Sequence, residues 1–387
     1  MTTAHVADRL QGIGTTIFAE MSALAARTQA INLGQGFPDT DGPSEVVDVA
    51  VQAMREGRNQ YAPGAGVPEL RAAIAHHQHR FYGLDADPES EVLVTTGATE
   101  AVAAALLALV NPGDEVVALE PYYDSYVACI AMAGGVRRPV TLRAPDFRLE
   151  PGTLRAAISS RTKVLLVNTP HNPTGTVLDD DELQAIVDVA CEHDLLVITD
   201  EVYEHLTFDG LRHRPLATFD GMRDRTLTIS SAGKTFSFTG WKVGWAVGPA
   251  HLIRAVMTAK QFLTFTSGAP LQPAIAYALG LDDSYFEQLG ANLQAKRDRL
   301  CAGLRDVGLT VFEPQGTYFV TTDIRPLGYA DGLRFCLDLP ERCGVVAIPH
   351  AVFYDDKQAG KPLVRWAFCK QDEVLDDAVR RLRTLSG

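Results

Sequence analysis

The feature that most constrains this chain is an alternation of short apolar runs with helix-length segments between Glu91 and Gly248. The runs are rich in β-branched residues and read EVLVTT, EVVALEPYY, KVLLVNTP, LLVITDEVY, RTLTISS and VGWAVG. Short strands separated by helices are typical of a mainly parallel sheet covered by helices on both faces. The pattern therefore predicts a doubly wound α/β domain.

The segments on either side of this alternation predict further units. After about Asp282 a long charged helix precedes a few strands and helices, which predicts a smaller α+β domain. The N-terminal segment contains Gly and Pro but little periodicity, so we expect a strap that contributes to the small domain. The predicted division is a strap over 1–41, a large domain over 42–281 and a small domain over 282–387.

Composition excludes several classes of protein. A hydrophobic fraction of 46% with 21% charged residues is typical of a globular protein rather than a disordered one. The net charge of −13 argues against nucleic acid as a partner. No apolar run reaches the ~18 residues of a membrane span, and the N-terminal MTTAHVADRL lacks the apolar core of a signal peptide. We therefore expect a cytoplasmic protein with no membrane partner.

Neither the cysteines nor the clustered histidines predict a metal site. No two cysteines have the Cys-x-x-Cys spacing of a zinc or redox site, so we expect buried thiols in a reducing compartment. His76, His77 and His79 lie in a helical, Arg-containing stretch without a nearby acidic residue, and we interpret them as a solvated face. The cysteines are Cys129, Cys191, Cys301, Cys336, Cys343 and Cys369.

Unusual polar sequences follow four of the predicted strands. They are Thr96–Glu100, Asn168–Gly175, Asp200–Tyr203 and Ser230–Lys234. In doubly wound sheets, active groups lie in the loops just beyond the carboxyl ends of the strands. These four segments are therefore the candidate site.

The segment SSAGKTFSFTGWKVGW carries the strongest signal. Gly233-Lys234-Thr235 suggests a phosphate-binding P-loop, but that motif needs a glycine at position 228, where this chain has Thr. Alone, Lys234 could equally be an ordinary solvated lysine. However, Ser231 precedes it by three residues and Lys242 follows it by eight. Lys234 would supply an amine nucleophile, whereas the hydroxyl of Ser231 and the positive charge of Lys242 could neutralise a dianion. Lys242 could instead be a strand residue that faces solvent.

Three other positions have both a functional and an ordinary interpretation. Asp200 ends an apolar strand, where a carboxylate is costly unless it is paired, although a helix N-cap or a domain salt bridge would also explain it. The turn Gly97–Thr99 frees N–H groups at a helix N-terminus, which suits an anion or a simple N-cap. Arg365 has the planar fork that binds carboxylates, but an interdomain salt bridge is the alternative.

The set as a whole resembles the site of fold-type I aminotransferases, which depend on pyridoxal 5′-phosphate. Asn172 of the NPTG turn precedes Asp200 by 28 residues and Lys234 by 62, in the order of that family. The resemblance extends from about Thr16 to Leu385. It implies a fold-type I enzyme whose large domain binds the cofactor and which transfers amino groups by ping-pong kinetics.

The resemblance also implies a role for each residue. Lys234 forms an imine with the cofactor aldehyde and later moves the proton, and Asp200 pairs with the pyridine nitrogen. Tyr203 and Asn172 bind the phenolic oxygen, and Tyr123 stacks on the ring. The residues implied to contact the cofactor phosphate are Gly97, Ala98, Thr99, Ser231 and Lys242, together with Tyr61 from the neighbouring subunit of a homodimer. The residues implied to contact the substrate carboxylate are Gly36, Asn172 and Arg365.

Within this family, the sequence resembles the subgroup of kynurenine, methionine and N-succinyldiaminopimelate aminotransferases and cysteine-conjugate β-lyases. FAEMSALA, EPYYDSY, GYADGLRFC and GVVAIP look most like the actinobacterial N-succinyldiaminopimelate enzymes of lysine biosynthesis. That substrate, with 2-oxoglutarate as the partner oxo acid, is the specific prediction. The alternatives are a kynurenine, methionine or glutamine aminotransferase, a β-lyase, or a non-catalytic sensing domain.

Three residues depart from the subgroup pattern. Phe18 replaces a different aromatic of the kynurenine-specific members, and Tyr123 replaces a frequent phenylalanine. His350 stands in a loop that the family places near the substrate, where a smaller or apolar residue is usual. These departures affect the expected side-chain specificity of the enzyme and leave its expected chemistry unchanged.

Overall fold

The structure is a computed structural model that describes residues 6–14 and 16–386. Residues 1–5, which hold half of the MTTAHVADRL segment, lie outside the described residues. The helices are α1 Ile17–Thr28, α2 Ser44–Arg55, α3 Pro68–Tyr82, α4 Gly97–Leu109, α5 Asp124–Met132, α6 Pro151–Ala156, α7 Asp180–Glu192, α8 Ala232–Thr235, α9 Ala250–Lys260, α10 Leu271–Leu279, α11 Asp283–Asp306, α12 Gly332–Cys343 and α13 Asp372–Leu382. The strands are β1 Ile31–Asn32, β2 Val92–Thr95, β3 Glu115–Glu120, β4 Val136–Thr141, β5 Thr162–Asn168, β6 Leu196–Asp200, β7 Thr226–Ser231, β8 Gly244–Val247, β9 Thr310–Phe312, β10 Phe319–Asp323, β11 Val345–Val346, β12 Ile348–Pro349 and β13 Leu363–Ala367.

A seven-stranded sheet forms the larger part of the fold, in the order β2-β8-β7-β6-β5-β3-β4. All neighbouring pairs are parallel except those of β8, which runs antiparallel to both β2 and β7. Helices cover both faces of the sheet, and the apolar strands are buried, as their near-continuous hydrophobic runs require. The predicted doubly wound, mainly parallel α/β sheet is confirmed.

Strand β4 was not predicted from the sequence. Its residues VRRPVT include two arginines and a proline, so they lack the apolar run that marks a buried strand. The strand lies at the edge of the sheet, where alternate residues reach solvent and charged side chains and proline are tolerated. The position of β4 at the edge explains why the search for apolar runs did not predict this strand.

The N-terminal strap is more regular than its sequence indicated. It contains α1, whose start is capped by the side chain of Thr16, and the short strand β1. The strap therefore includes a regular helix, Ile17–Thr28, although its sequence shows little periodicity. Strand β1 pairs in parallel with β11, which ties the strap to the C-terminal part of the chain.

The C-terminal part contains a four-stranded antiparallel sheet, in the order β12-β13-β10-β9. Helices α11, α12 and α13 pack with it and with α1 around one apolar core. The predicted α+β character of this region agrees with these elements, whereas the boundaries at 41/42 and 281/282 stay predictions.

Two expectations about reactive side chains need correction. All six cysteines are free thiols and five are buried, but Cys191 is exposed. His76 and His79 are exposed as expected, but His77 is 1% exposed, because the helix turns it towards the interior. The expectation that no acid lies near was also wrong, since Nδ1 of His79 lies 2.8 Å from Oδ1 of Asp85.

Within the described part of the chain, no helix is both long enough and apolar enough to cross a membrane.

Candidate active site

A cavity of about 440 Å³ opens where the carboxyl ends of the central strands meet the strap and the C-terminal sheet. Twelve of the thirteen site residues predicted from the sequence line it. Strand ends that are far apart in sequence converge here because parallel strands deliver their carboxyl ends to one edge of the sheet. The twelve are Gly36, Gly97, Ala98, Thr99, Tyr123, Asn172, Asp200, Tyr203, Ser231, Lys234, Lys242 and Arg365.

Lys234 lies in the short helix that directly follows β7, three residues beyond the strand's last residue, Ser231. Its Nζ donates a hydrogen bond to the hydroxyl of Tyr318 at 2.9 Å, and that hydroxyl donates to the carbonyl oxygen of Gly36 at 2.6 Å. Burial lowers the pKa of Lys234 to about 8. A substantial fraction of the amine is therefore neutral and nucleophilic near physiological pH.

Asp200 ends β6 and is 6% exposed. Its Oδ2 accepts a hydrogen bond of 2.6 Å from the hydroxyl of Tyr126, and its Oδ1 accepts one of 3.3 Å from the backbone N–H of Val202. Burial raises the pKa of Asp200. The turn after Asp200 is not a helix, and no described cation forms a salt bridge with this carboxyl, so neither ordinary interpretation applies. The site contains a buried acid available to a cationic ligand.

The turn from β2 into α4 lines one part of the cavity. Gly97 begins α4 with a φ of +75°, which favours glycine. Lys242 reaches over this glycine, because its Nζ lies 3.1 Å from where a Cβ on Gly97 would be. A lysine above the free N–H groups of a helix N-terminus suits a phosphate group.

The alternative interpretation of Lys242 as a solvent-facing strand residue is correct in that the side chain is exposed, but the residue does not lie in a strand. The residue follows a single turn of 3-10 helix, Thr239–Trp241, and has a left-handed backbone with a φ of 54°, while β8 begins only at Gly244. Gly244 itself packs against the start of α4, since a Cβ there would lie 2.6 Å from the carbonyl carbon of Gly97. The close approach of these two backbones brings Lys242 over the N-terminal turn of α4.

Arg365 lines the same cavity and is 1% exposed. Its Nη1 donates to Oδ1 of Asn172 at 2.9 Å and its Nη2 donates to the carbonyl oxygen of Gly34 at 3.0 Å, whereas its buried Nε has no partner. The guanidinium stacks 3.9 Å above the ring of Phe319 and is buried, which lowers the pKa of Arg365 to about 10. No described carboxylate bonds to it, so the interdomain salt bridge is not formed. A buried guanidinium with a free donor is a receptor for a carboxylate.

Three predicted positions deserve separate mention. Phe18 lines the cavity, with its ring 5.1 Å from the guanidinium carbon of Arg365. Tyr61 lies outside the cavity of its own chain and is 83% exposed, so its reach into a partner's site stays a prediction. His350 does not line the cavity; it is fully buried, and its Nε2 lies 3.1 Å from Oγ1 of Thr321.

Sequence reasoning missed the aromatic residues that support the site. Tyr126 lies in the first turn of α5, three residues after Tyr123, which caps the start of that helix, and its place just after a predicted strand end could have indicated it. Tyr318 and Phe319 come from the C-terminal sheet, more than 80 residues after Lys234. No local pattern connects them to the lysine, because only the packing of the two sheets does so.

Three comparisons place this geometry among known proteins. The family model for aminotransferase class I and II matches residues 28–382. The chain is 54% identical to the Mycobacterium tuberculosis protein named "Probable N-succinyldiaminopimelate aminotransferase DapC", over 98% of both chains, and 41% identical to the methionine aminotransferase of Escherichia coli, over 97% of both. The solved structure of N-succinyldiaminopimelate aminotransferase from Mycobacterium tuberculosis superposes with a TM-score of 0.96 and 54% identity, covering 98% of this chain and 100% of that one.

Proposed function

The chain belongs to the class I and II aminotransferases, and from this premise we propose that it uses pyridoxal 5′-phosphate to transfer the amino group of N-succinyl-LL-diaminopimelate to 2-oxoglutarate. The observation that carries the chemical part is the convergence of Lys234, Asp200 and Arg365 on one cavity. The observation that supports the substrate is the 54% identity to the mycobacterial relative over nearly the whole chain.

The residues present fit the cofactor at three points. The N-terminal turn of α4, with Lys242 above it, suits the cofactor phosphate. The buried carboxylate of Asp200 has only neutral hydrogen-bond donors, and a protonated pyridine nitrogen would supply the missing positive charge. Lys234, whose amine is neutral in part at physiological pH, suits covalent attachment to the aldehyde.

The remaining contacts would orient the ring between these points. Tyr123 lines the cavity beside Tyr126, with ring centroids 5.8 Å apart, and we assign it to stacking on the pyridine. Tyr203 and Asn172 are assigned to the phenolic oxygen. Ser231 is assigned to the phosphate with Gly97, Ala98 and Thr99.

When bound, pyridoxal phosphate supplies an electron-accepting ring that stabilises the charge left when a substrate loses its Cα proton. Asp200 would keep the ring nitrogen protonated and so maintain that capacity. Arg365 and the backbone at Gly36 would hold the α-carboxylate of each substrate. Lys234 Nζ, released from the cofactor, would take the Cα proton and deliver it to C4′ of the cofactor, with Tyr318 orienting the amine.

Both half-reactions would use this arrangement. An amino acid and an oxo acid each present one α-carboxylate, so the single guanidinium of Arg365 serves both in turn. The two substrates therefore compete for one cavity, which predicts ping-pong kinetics.

We further propose a homodimer with a shared site, located in the cytoplasm. The rings of Tyr61 and Phe265 meet edge to face at 5.4 Å, and Phe262 nearby is 84% exposed. Exposed aromatic rings clustered on one surface favour burial against a partner. Sedimentation velocity of the purified chain, compared with Tyr61→Ser, tests this proposal through the molecular mass and the retention of cofactor.

The visible absorbance spectrum of the cofactor-loaded protein tests the proposed substrate. N-succinyl-LL-diaminopimelate, glutamate and kynurenine are added separately, and loss of the lysine-bound cofactor band is followed. Rapid loss with the first two but not with kynurenine is the expected result. A response only to kynurenine or methionine would retain the cofactor chemistry and refute the substrate.

The same scaffold could carry out β-elimination, since that reaction begins with the same proton removal. Release of pyruvate and ammonia from a cysteine conjugate measures it directly. We expect this release to be slower than amino transfer from N-succinyl-LL-diaminopimelate. The reverse order would identify the protein as a lyase.

A further inference from the structure

A second group of ionisable side chains, two buried and one half-buried, lies near the turn that carries Asp200. It consists of His77 on α3 together with Glu204 and His205, which follow Asp200 on the turn after β6. One ligand atom from each of the three lies within 4.8 Å of the others. None of the three lines the active-site cavity, so the mechanism above does not use them.

The two imidazoles face each other through their Nε2 atoms, which are 2.7 Å apart. The rings of Phe81 and Phe286 pack against them: the centroid of Phe81 lies 4.8 Å from that of His77 and 4.7 Å from that of His205, and the centroid of Phe286 lies 4.5 Å from that of His205. Burial lowers the pKa of His77 to about 3 and that of His205 well below its usual value, so both rings are neutral at physiological pH. Neutral imidazole is the form that binds a metal ion.

Glu204 supplies a buried carboxylate held by two hydroxyl groups. Its Oε1 accepts a hydrogen bond of 2.5 Å from Ser230. The buried hydroxyl of Tyr82 hydrogen-bonds with the Glu204 side chain, and burial together with this carboxylate raises the pKa of Tyr82. Burial raises the pKa of Glu204 to about 7, and a bound cation would favour its ionised form. Carboxylates that bind metal ions commonly accept further hydrogen bonds, so these contacts are compatible with a metal ligand.

We propose that His77, Glu204 and His205 form a structural site for a divalent transition-metal ion of the zinc type. Two imidazoles and one carboxylate are a ligand set that zinc accepts, and a fourth position remains for water or the hydroxyl of Tyr82. Two histidine nitrogens on one tetrahedral zinc lie about 3.3 Å apart, so the Nε2 atoms would need to separate by about 0.6 Å. His205 stands on an irregular turn, which can accommodate that movement.

The location indicates what the ion would do. Glu204 directly follows Tyr203, and Asp200 is only four residues earlier, whereas His77 belongs to a helix on another part of the chain. An ion held by both segments would fasten the turn that carries Asp200 and Tyr203 to α3. The neighbouring pair of His213 Nε2 and Glu201 Oε2, 2.7 Å apart and buried, braces the same turn independently.

The test uses the cofactor-loaded protein, purified without a polyhistidine tag, and Co²⁺ and Zn²⁺ as the probes. We expect one equivalent of Co²⁺ per chain to give d–d absorbance bands at wavelengths beyond those of the cofactor. Zinc at about 100 times its dissociation constant should raise the Tm by about 3 °C. Glu204→Gln keeps the shape of the side chain and its contact with Ser230 but should abolish both effects.

His79→Ala is the matched control, because His79 lies on the same helix but is exposed. It should bind Co²⁺ like the unchanged protein. His205→Phe, which keeps a ring against Phe286, provides a second loss variant should Glu204→Gln fold poorly. Absence of a stoichiometric Co²⁺ signal in the unchanged protein, or bands retained in both loss variants, would overturn the proposal in favour of a plain hydrogen bond between two neutral imidazoles.

Discussion

Replacing Tyr126 with phenylalanine would remove one oxygen atom from the surroundings of Asp200. That hydroxyl donates to Oδ2 at 2.6 Å, and the remaining donor on the carboxyl is the N–H of Val202 at 3.3 Å. A hydrogen bond to a charged group contributes about 1.5–3 kcal/mol. At 1.36 kcal/mol per pKa unit, its loss should raise the pKa of Asp200 by about 1–2 units. The carboxylate would then stabilise a protonated ring nitrogen less well.

The assay is steady-state transamination, combined with a titration of apoprotein with pyridoxal phosphate. If the whole interaction is lost in the transition state, kcat/KM should fall about 10- to 150-fold, and cofactor affinity should weaken by up to the same factor. Tyr123→Phe is the control, since the hydroxyl of Tyr123 hydrogen-bonds with Thr99 and the phenylalanine ring remains able to stack. Tyr126→Phe protein within twofold of the unchanged enzyme in both measurements, with an unchanged Tm, would refute the assignment of Asp200 to the ring nitrogen.

Further outcomes are expected for changes at Lys234, Arg365 and Gly36. The pKa of Lys234 is about 8, so the rate at which the apoprotein attaches pyridoxal phosphate should rise from pH 7 to 9 and then level off. Stopped-flow absorbance measures this rate. A rate that does not change with pH would contradict a buried, partly neutral amine. Arg365→Lys should raise KM for both the amino acid and the oxo acid about 10- to 100-fold, because lysine lacks the planar guanidinium of arginine. A raised KM for only one of the two substrates would contradict a shared carboxylate site. Gly36→Ala would place a Cβ 2.4 Å from the ring of Phe319, so KM should rise for both substrates while the cofactor spectrum stays normal.

Much of the site was predictable because its residues lie at strand ends. Lys234, Asp200 and Asn172 each follow an apolar run, and parallel strands bring such ends together whatever the details of packing. The reversal of β8 was not predictable, since the same apolar run suits either direction. Strand β4 was missed because an edge strand does not need to be apolar, and the buried state of His77 was missed because a polar stretch of helix was taken to be solvated throughout.

The sequence by itself determined the class of fold, the family and the candidate residues of the site, because these depend on local periodicity and on spacing along the chain. The tertiary structure alone decided the state of those groups. The pKa of Lys234, the hydrogen bond from Tyr126 to Asp200 and the stacking of Phe319 on Arg365 come from side chains distant in sequence. Burial and long-range contacts set protonation and orientation, and only the packed chain contains them.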